Sequence, residues 1–232
     1  MMEVHNFDSV DPGMRNLKKP PLNFGKKTKI VLNDEQRKEI LEIAYKSNYQ
    51  HGLIIALGLN TGLRVNELAN LIISNFNPYS YTIIVQDREA SNYAKSFKAK
   101  TPNSNRIIPI TKELSGKLKA HIGSRKTGYI FRSQRSPMFR KRSLINMINK
   151  YANRCNSIPY LYQDAYGVSK KNIGFHCLRA TFCSFLVSKK KDIMEIQKLM
   201  GHEYVDTTFR YIKQISPIDF KDIRKAMRGM NK

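Results

Sequence analysis

Apolar positions recur along most of this chain at helical spacing, and at strand spacing in one short stretch. The first ordered signal is Val31-Leu32 followed by Asn33-Asp34-Glu35-Gln36. Asn33 can accept from the first-turn N–H groups while Gln36 reaches back, so a capped helix is predicted, its apolar face starting at Leu41, Ile43 and Ala44. A second helix is predicted over about 51–60, with Gly62 supplying a left-handed exit. A third runs from near Arg64 through Leu68, Leu71 and Ile72. The pattern then changes. Residues 81–85, a short piece near Phe97, and 106–110 are rich in β-branched residues and flank Pro102-Asn103-Ser104-Asn105, which predicts a small antiparallel sheet. Thr111 can cap a helix to about His121, and Leu144, Met147, Ile148 and Tyr151 mark another over 141–153. Helices follow over 176–188 and 192–200, the latter ended by Gly201. Asp206 can cap a helix carrying Tyr211, and Pro217 opens a last one over 217–229. The fold class expected is mainly α with a small antiparallel β-sheet. Residues 1–28, polar with Pro12, Pro20 and Pro21, are expected to form a flexible basic arm, and residues 29–232 one domain.

Charge narrows the class of partner. The net charge is +23, and residues 95–150 hold fifteen lysines and arginines against one acid, Glu113. Cations that neutralise phosphates release condensed counterions, so a nucleic acid is the simplest partner for such a bias. A membrane surface would favour one basic amphipathic helix, whereas here the charge runs through several elements. The longest apolar run, Leu53–Leu57, ends at Gly58 and is too short for a membrane span. The acidic residues Glu3, Asp8 and Asp11 do not suit a signal or transit peptide. A soluble protein is expected, cytoplasmic and nucleoid-associated or in the host cell compartment that holds its target DNA. Three cysteines, Cys155, Cys177 and Cys183, with no paired spacing, read as reduced thiols in or near the core, with no metal and no cofactor.

Three segments carry candidate chemistry: Thr61-Gly62-Leu63-Arg64 with Glu67-Leu68, His176-Cys177-Leu178-Arg179, and Leu199-Met200-Gly201-His202 with Tyr211 nine residues on. Phosphoryl transfer requires charge stabilisation on the non-bridging oxygens, an in-line nucleophile and a proton for the leaving oxygen. Arginine suits the first task because its planar fork stays charged and bonds phosphate bidentately. His176 and Arg179 lie three apart and share a helix face. Taken singly, each residue has an ordinary reading: a solvated arginine, a structural histidine, a core tyrosine.

In this order and spacing the segments resemble the catalytic domain of the tyrosine recombinases, the phage-integrase and Xer-like family. The resemblance covers about residues 30–230. It implies that Arg64, Arg179 and His202 bind the scissile DNA phosphate, that His176 acts in proton transfer, and that Tyr211 is the nucleophile. Glu67, one turn after Arg64, would help to hold it. The family's general acid is a lysine on a β-hairpin before an Arg-x-x-Pro strand. Here the strand is Arg106-Ile107-Ile108-Pro109, and Lys100-Thr101 with Ser104 and Arg106 matches the hairpin, with Lys98 as the substitute. Lys98, Arg106, Arg140, Lys141 and Arg142 are assigned to DNA contact.

What the resemblance implies is a site-specific recombinase working through a 3′-phosphotyrosyl link, without cofactor, on double-stranded DNA as a homo-tetramer, with accessory DNA-bending proteins. Integration, excision, inversion and resolution stay open, as do a type IB topoisomerase-like activity and a non-catalytic DNA-binding regulator. Larger members carry an N-terminal core-binding domain, for which residues 1–28 are too short, so the chain is most similar to an isolated catalytic domain or a short single-domain member. Phe220, Ile223 and Met227 form an apolar stripe on the last helix, for its own domain or for a neighbouring subunit.

Overall fold

A computed structural model describes residues 30–100, 104–160, 162–163, 169–171 and 173–204. The expected helices at Asp206 and Pro217, the 1–28 arm and Tyr211 lie outside the described residues.

The expected fold class is borne out: seven helices and short antiparallel strands make up the described elements. Helix α1, Asp34–Ser47, starts at the capping box read from the sequence, with Asn33 Oδ1 accepting from the Gln36 N–H at 2.9 Å and Gln36 Oε1 from the Asn33 N–H at 3.0 Å. Asn48 then ends α1 and caps α2, Tyr49–Thr61, through its side chain and the His51 N–H. A single residue thus serves both helices and sets α2 against α1. Helix α2 is buried on nearly every face from Gly52 to Leu59, and α1, α4 (Lys112–Ile122) and α6 (Phe175–Ser188) pack around it. It is the hydrophobic axis of the domain, and its C-terminus delivers Gly62, Leu63 and Arg64.

Gly62 ends α2 with φ +59°, the left-handed conformation a glycine adopts without steric cost. Helix α3 is short, Val65–Ala69, and does not continue to Ile72 as the apolar spacing predicts. The reason is pairing with distant chain: Leu71 accepts from the Ile130 N–H at 3.0 Å and Ile73 donates to Gly128 at 2.9 Å, so the segment becomes bridge and 3-10 turn. Strands β1 (Phe76–Asn77), β2 (Thr82–Val85) and β3 (Arg106–Pro109) form one antiparallel sheet with Ile83 facing Ile108. Near Phe97 there is only an isolated bridge to Arg88, where a short strand was expected. Helix α5, Lys141–Arg154, precedes a two-stranded β4–β5 pair, Tyr162–Gln163 with Ser169–Lys170.

One buried cluster runs from Leu32 to Leu178, and a smaller one joins α6 to α7 (Ile193–Met200) through Ala180, Cys183, Ile196 and Met200. All three cysteines are buried, and burial pushes the Cys155 and Cys177 thiols up to about 11 and about 12. No helix among the described residues is long and apolar enough to cross a membrane.

A Cβ at position 62 would sit 2.7 Å from Phe182 Cδ1 in a left-handed backbone. The Gly62→Ala variant is expected to lose about 1–2 kcal/mol from backbone strain, with more from the clash, seen as a lower urea midpoint at unchanged slope.

Candidate active site

Arg64 is the N-cap of α3, directly after the turn at Gly62. Its backbone N–H donates to Glu67 Oε2 at 2.8 Å, so the carboxylate one turn on closes the helix start. Its guanidinium donates through Nη1 to Glu67 Oε1 at 2.7 Å and to Ser104 Oγ at 3.2 Å, and through Nη2 to the Gly201 carbonyl at 2.7 Å. These bonds fix the direction of the side chain from three separate stretches of chain.

Arg179 lies in the first half of α6 and is 4% exposed. Its Nη1 donates to the Gly62 carbonyl at 2.5 Å and its Nη2 to the Met200 carbonyl. His176, one turn before it, is exposed in the first turn of the same helix. Gly201 ends α7 with φ +61°, and His202 follows, 5% exposed. The His202 N–H donates to the Gln197 carbonyl at 3.1 Å, and its own carbonyl accepts from Gln197 Nε2 at 3.2 Å.

Arg106 departs from its expected role as a DNA contact. Its side chain is 5% exposed and turned inward. Nη2 pairs with Glu67 Oε2 at 2.8 Å, Nη1 donates to Glu67 Oε1 at 3.1 Å and to the Ser104 carbonyl at 2.8 Å, and Nε donates to the Leu199 carbonyl at 2.7 Å. Glu67, its side chain 2% exposed, therefore lies between Arg106 and Arg64. Burial alone would raise the Glu67 carboxyl, but hydrogen bonds and charge from Arg106, then Arg64, outweigh it and hold the group below its ordinary 4.5.

Three consecutive carbonyls at the end of α7 thus accept from three different arginines: Leu199 from Arg106, Met200 from Arg179 and Gly201 from Arg64. A helix C-terminus leaves carbonyls unpaired and carries partial negative charge, so it suits cations. The result joins the three sequence segments around one point, with two arginines, a buried histidine and the start of the segment toward Tyr211. Ser104, which accepts from Arg64 and Arg106 through different atoms, has its sequence signal in the Lys-Thr-x-x-Ser pattern.

Lys98 and Lys100 are both exposed. Ala99 between them donates to Asp87 Oδ1 at 2.9 Å, and Ser104 anchors the far side of the segment. Arg140, Lys141 and Arg142 are exposed at the start of α5. Among the described residues, no group of three His, Cys, Asp or Glu is placed to hold a metal ion.

A mainly helical domain on a strongly basic chain thus gathers two arginines and a histidine at one helix end. The chain belongs to the phage integrase family, whose model matches residues 31–216. It is 26% identical over 226 residues to the tyrosine recombinase XerA of Pyrococcus horikoshii, covering 95% of this chain and 67% of that protein. It is 29% identical over 195 residues to a tyrosine recombinase of Pseudothermotoga lettingae, covering 82% of this chain and 58% of that protein. The chain thus spans about three fifths to two thirds of these relatives. The Tn1549 transposon integrase, solved in complex with transposon right end DNA, shares the fold with a TM-score of 0.71 at 21% identity, over 91% of this chain and 69% of that one.

The buried Glu67 pair sets a pH dependence. A depressed carboxylate contributes stability that is present above the unfolded value, here near 4.5, and is lost as pH falls through the folded value. Glu67→Gln is therefore expected to cost about 3 kcal/mol at pH 7. Urea titrations from pH 7 to pH 3 should show a shallower loss of stability in the variant than in the wild type.

Proposed function

We propose that this chain is a site-specific DNA recombinase that cuts and rejoins duplex DNA through a 3′-phosphotyrosyl link. The convergence of Arg64, Arg179 and His202 on the end of α7 carries the reading, in a chain of the phage integrase family. Arg64 and Arg179 bind the non-bridging oxygens of the scissile phosphate, where their fixed charge stabilises the transition state more than the ground state. His202 donates to the same group. The Tyr211 oxygen attacks phosphorus, the bond to the 5′ oxygen breaks, and Lys100 protonates that oxygen to release a 5′-hydroxyl. His176 assists transfer of the tyrosine proton. The phosphotyrosyl ester keeps the bond energy, so rejoining needs no ATP, and no metal or cofactor takes part. Glu67 and Arg106 act as positioning residues for Arg64 and the end of α7.

Exchange between two duplexes needs four such sites, so the assembly on DNA is a homo-tetramer, aided by accessory DNA-bending proteins, in the cytoplasm at the nucleoid. Residues 29–232 form the catalytic domain, and residues 1–28 an arm. Lys98, Arg140, Lys141 and Arg142 contact the DNA backbone. The basic bias of residues 95–150 supports this placement, as does the exposure of all four.

Covalent capture tests the reading. Wild-type protein mixed with fragmented genomic DNA and denatured is expected to retain one sequence with inverted half-sites, while Tyr211→Phe binds duplex and retains none. An adduct in Tyr211→Phe excludes that nucleophile, and adducts on all sequences mean an unspecific topoisomerase-like reaction. The general acid is tested with a substrate carrying sulfur in place of the bridging 5′ oxygen, since a thiolate leaves without a proton. Lys100→Ala is expected to lose about 10²–10⁴-fold in cleavage of ordinary DNA and to recover on the sulfur substrate. Recovery by Lys98→Ala in its place moves the role to Lys98.

A further inference from the structure

Lys98 and Lys100 lie on the excursion between the end of β2 at Val85 and the start of β3 at Arg106, where isolated bridges alone pair the described chain. A lysine that protonates one leaving oxygen needs a fixed place, since a displacement of about an ångström costs roughly a hundredfold in rate. No strand ladder supplies that place here, so side chains must.

Arg88 is the central one. Its three guanidinium nitrogens are all turned to backbone carbonyls of its own chain. Nε and Nη2 donate to the Lys95 carbonyl at 3.1 and 2.9 Å, and Nη1 donates to the Asn70 carbonyl at 3.0 Å. Its backbone exchanges two hydrogen bonds with Phe97, each of 2.8 Å. The guanidinium lies over the rings of Phe97 and Tyr129, 6.0 and 5.9 Å from their centroids, and both residues are buried. Cation–π attraction thus adds to the carbonyl bonds.

Tyr129 holds the same residue from its other side, with Oη accepting from the Lys95 N–H at 3.0 Å. Tyr129 is itself held by an antiparallel bridge to Ile72. Asn70 and Ile72 follow directly on α3, whose N-cap is Arg64 and whose first turn carries Glu67. Asp87, the neighbour of Arg88, accepts from the Ala99 N–H at 2.9 Å, and Lys98 and Lys100 flank Ala99. Beyond the lysines, Ser104 Oγ accepts from Arg64 Nη1 at 3.2 Å. The lysine segment is therefore tied to α3 twice: upstream through Arg88 and Tyr129 to the end of the helix, and downstream through Ser104 to Arg64 at its start.

We propose that Arg88 is a positioning residue for the general acid. By joining Lys95 to Asn70 it sets where the lysine stands relative to a phosphate held at Arg64. The inference rests on the reading that a lysine of this segment protonates the leaving 5′ oxygen, and it gives Arg88 no contact with DNA.

The test is single-turnover cleavage by the full chain of its own captured site, made with oxygen or with sulfur at the bridging 5′ position. A defect in proton delivery disappears on sulfur, whereas a defect in folding, phosphate binding or attack by the tyrosine persists. Arg88→Gln is expected to lose about ten- to a hundredfold on the oxygen substrate while binding uncleaved duplex as the wild type does. On the sulfur substrate it is expected to come within about threefold of wild type. Combined with the alanine variant of whichever lysine recovers on sulfur, Arg88→Gln is expected to add no further loss, because residues that act as one unit are not additive. Tyr129→Phe removes one oxygen atom and leaves the ring under Arg88. It is expected to show the same pattern with a smaller loss, and it carries the test if Arg88→Gln does not fold. Equal losses on the two substrates overturn the inference, as do losses that multiply in the double variant, or wild-type cleavage by both Arg88→Gln and Tyr129→Phe. Failure of both Lys100→Ala and Lys98→Ala to recover on sulfur overturns the general-acid reading and the inference with it, a result seen without any change at Arg88.

Discussion

The carbonyl groups of Leu199, Met200 and Gly201 leave the end of α7 with no helical partner, and each is met by a guanidinium from another part of the chain. Hydrogen bonds of this charged kind contribute on the order of 1.5–3 kcal/mol each, and buried carbonyls left unmet would cost as much. The three arginines come from the strand β3, the first half of α6 and the start of α3, so the end of α7 is where these elements are held together. Beneath them Glu67 is the buried carboxylate that pairs with two of the three. Removing Arg106 or Glu67 therefore disturbs more than one contact, because each leaves a buried group of the opposite kind without its partner.

This arrangement explains how a strongly basic chain can hold cations close together in its interior. Helix-end carbonyls hold Arg64 and Arg179, and Glu67 pairs with Arg64, so the proposed phosphate-binding cations are fixed without an anion. Preorganisation of this kind is what makes electrostatic stabilisation effective, since the site does not reorganise as charge develops. The rest of the fold serves the same end. The buried helix α2 carries the first arginine on a left-handed turn, and the small α6–α7 cluster around Met200 keeps Arg179 at the Met200 carbonyl. Elsewhere Arg88 and Arg125 likewise donate to backbone carbonyls, of Asn70 and Lys95 and of Tyr129 and Ile130.

Much of this was legible in the sequence where a local pattern carried it. The Asn33–Gln36 capping box, the glycine exits at 62 and 201, and the Thr111 cap are short-range devices, and the structure contains each of them. The segments at Arg64, Arg179 and His202 could be found by residue type and spacing. What stayed hidden depends on distant chain. Helix α3 stops early because Leu71 and Ile73 pair with residues near 130, which helical spacing cannot reveal. Strands of two residues, as at Phe76–Asn77 and Tyr162–Gln163, are too short to show a period. Arg106 reads as one more surface cation, yet its partners Glu67 and Leu199 lie 39 and 93 residues away. The acceptors at the centre of the site are backbone carbonyls, which every residue has and no spelling marks.

The proposed role of Arg106, buried against Glu67 and the Leu199 carbonyl, is to position Arg64 and the end of α7 rather than to contact DNA. The direct measurement is the single-turnover rate of covalent attachment to a duplex of the chain's own site, for wild type and Arg106→Gln, beside the affinity of each for uncleaved duplex. A displacement of about an ångström in a phosphate-binding group costs roughly a hundredfold in rate. The expected result is a rate lower by about that factor with affinity kept within about twofold. A variant that cleaves at the wild-type rate, or one that loses affinity alone, would contradict the account and return Arg106 to the DNA-contacting surface.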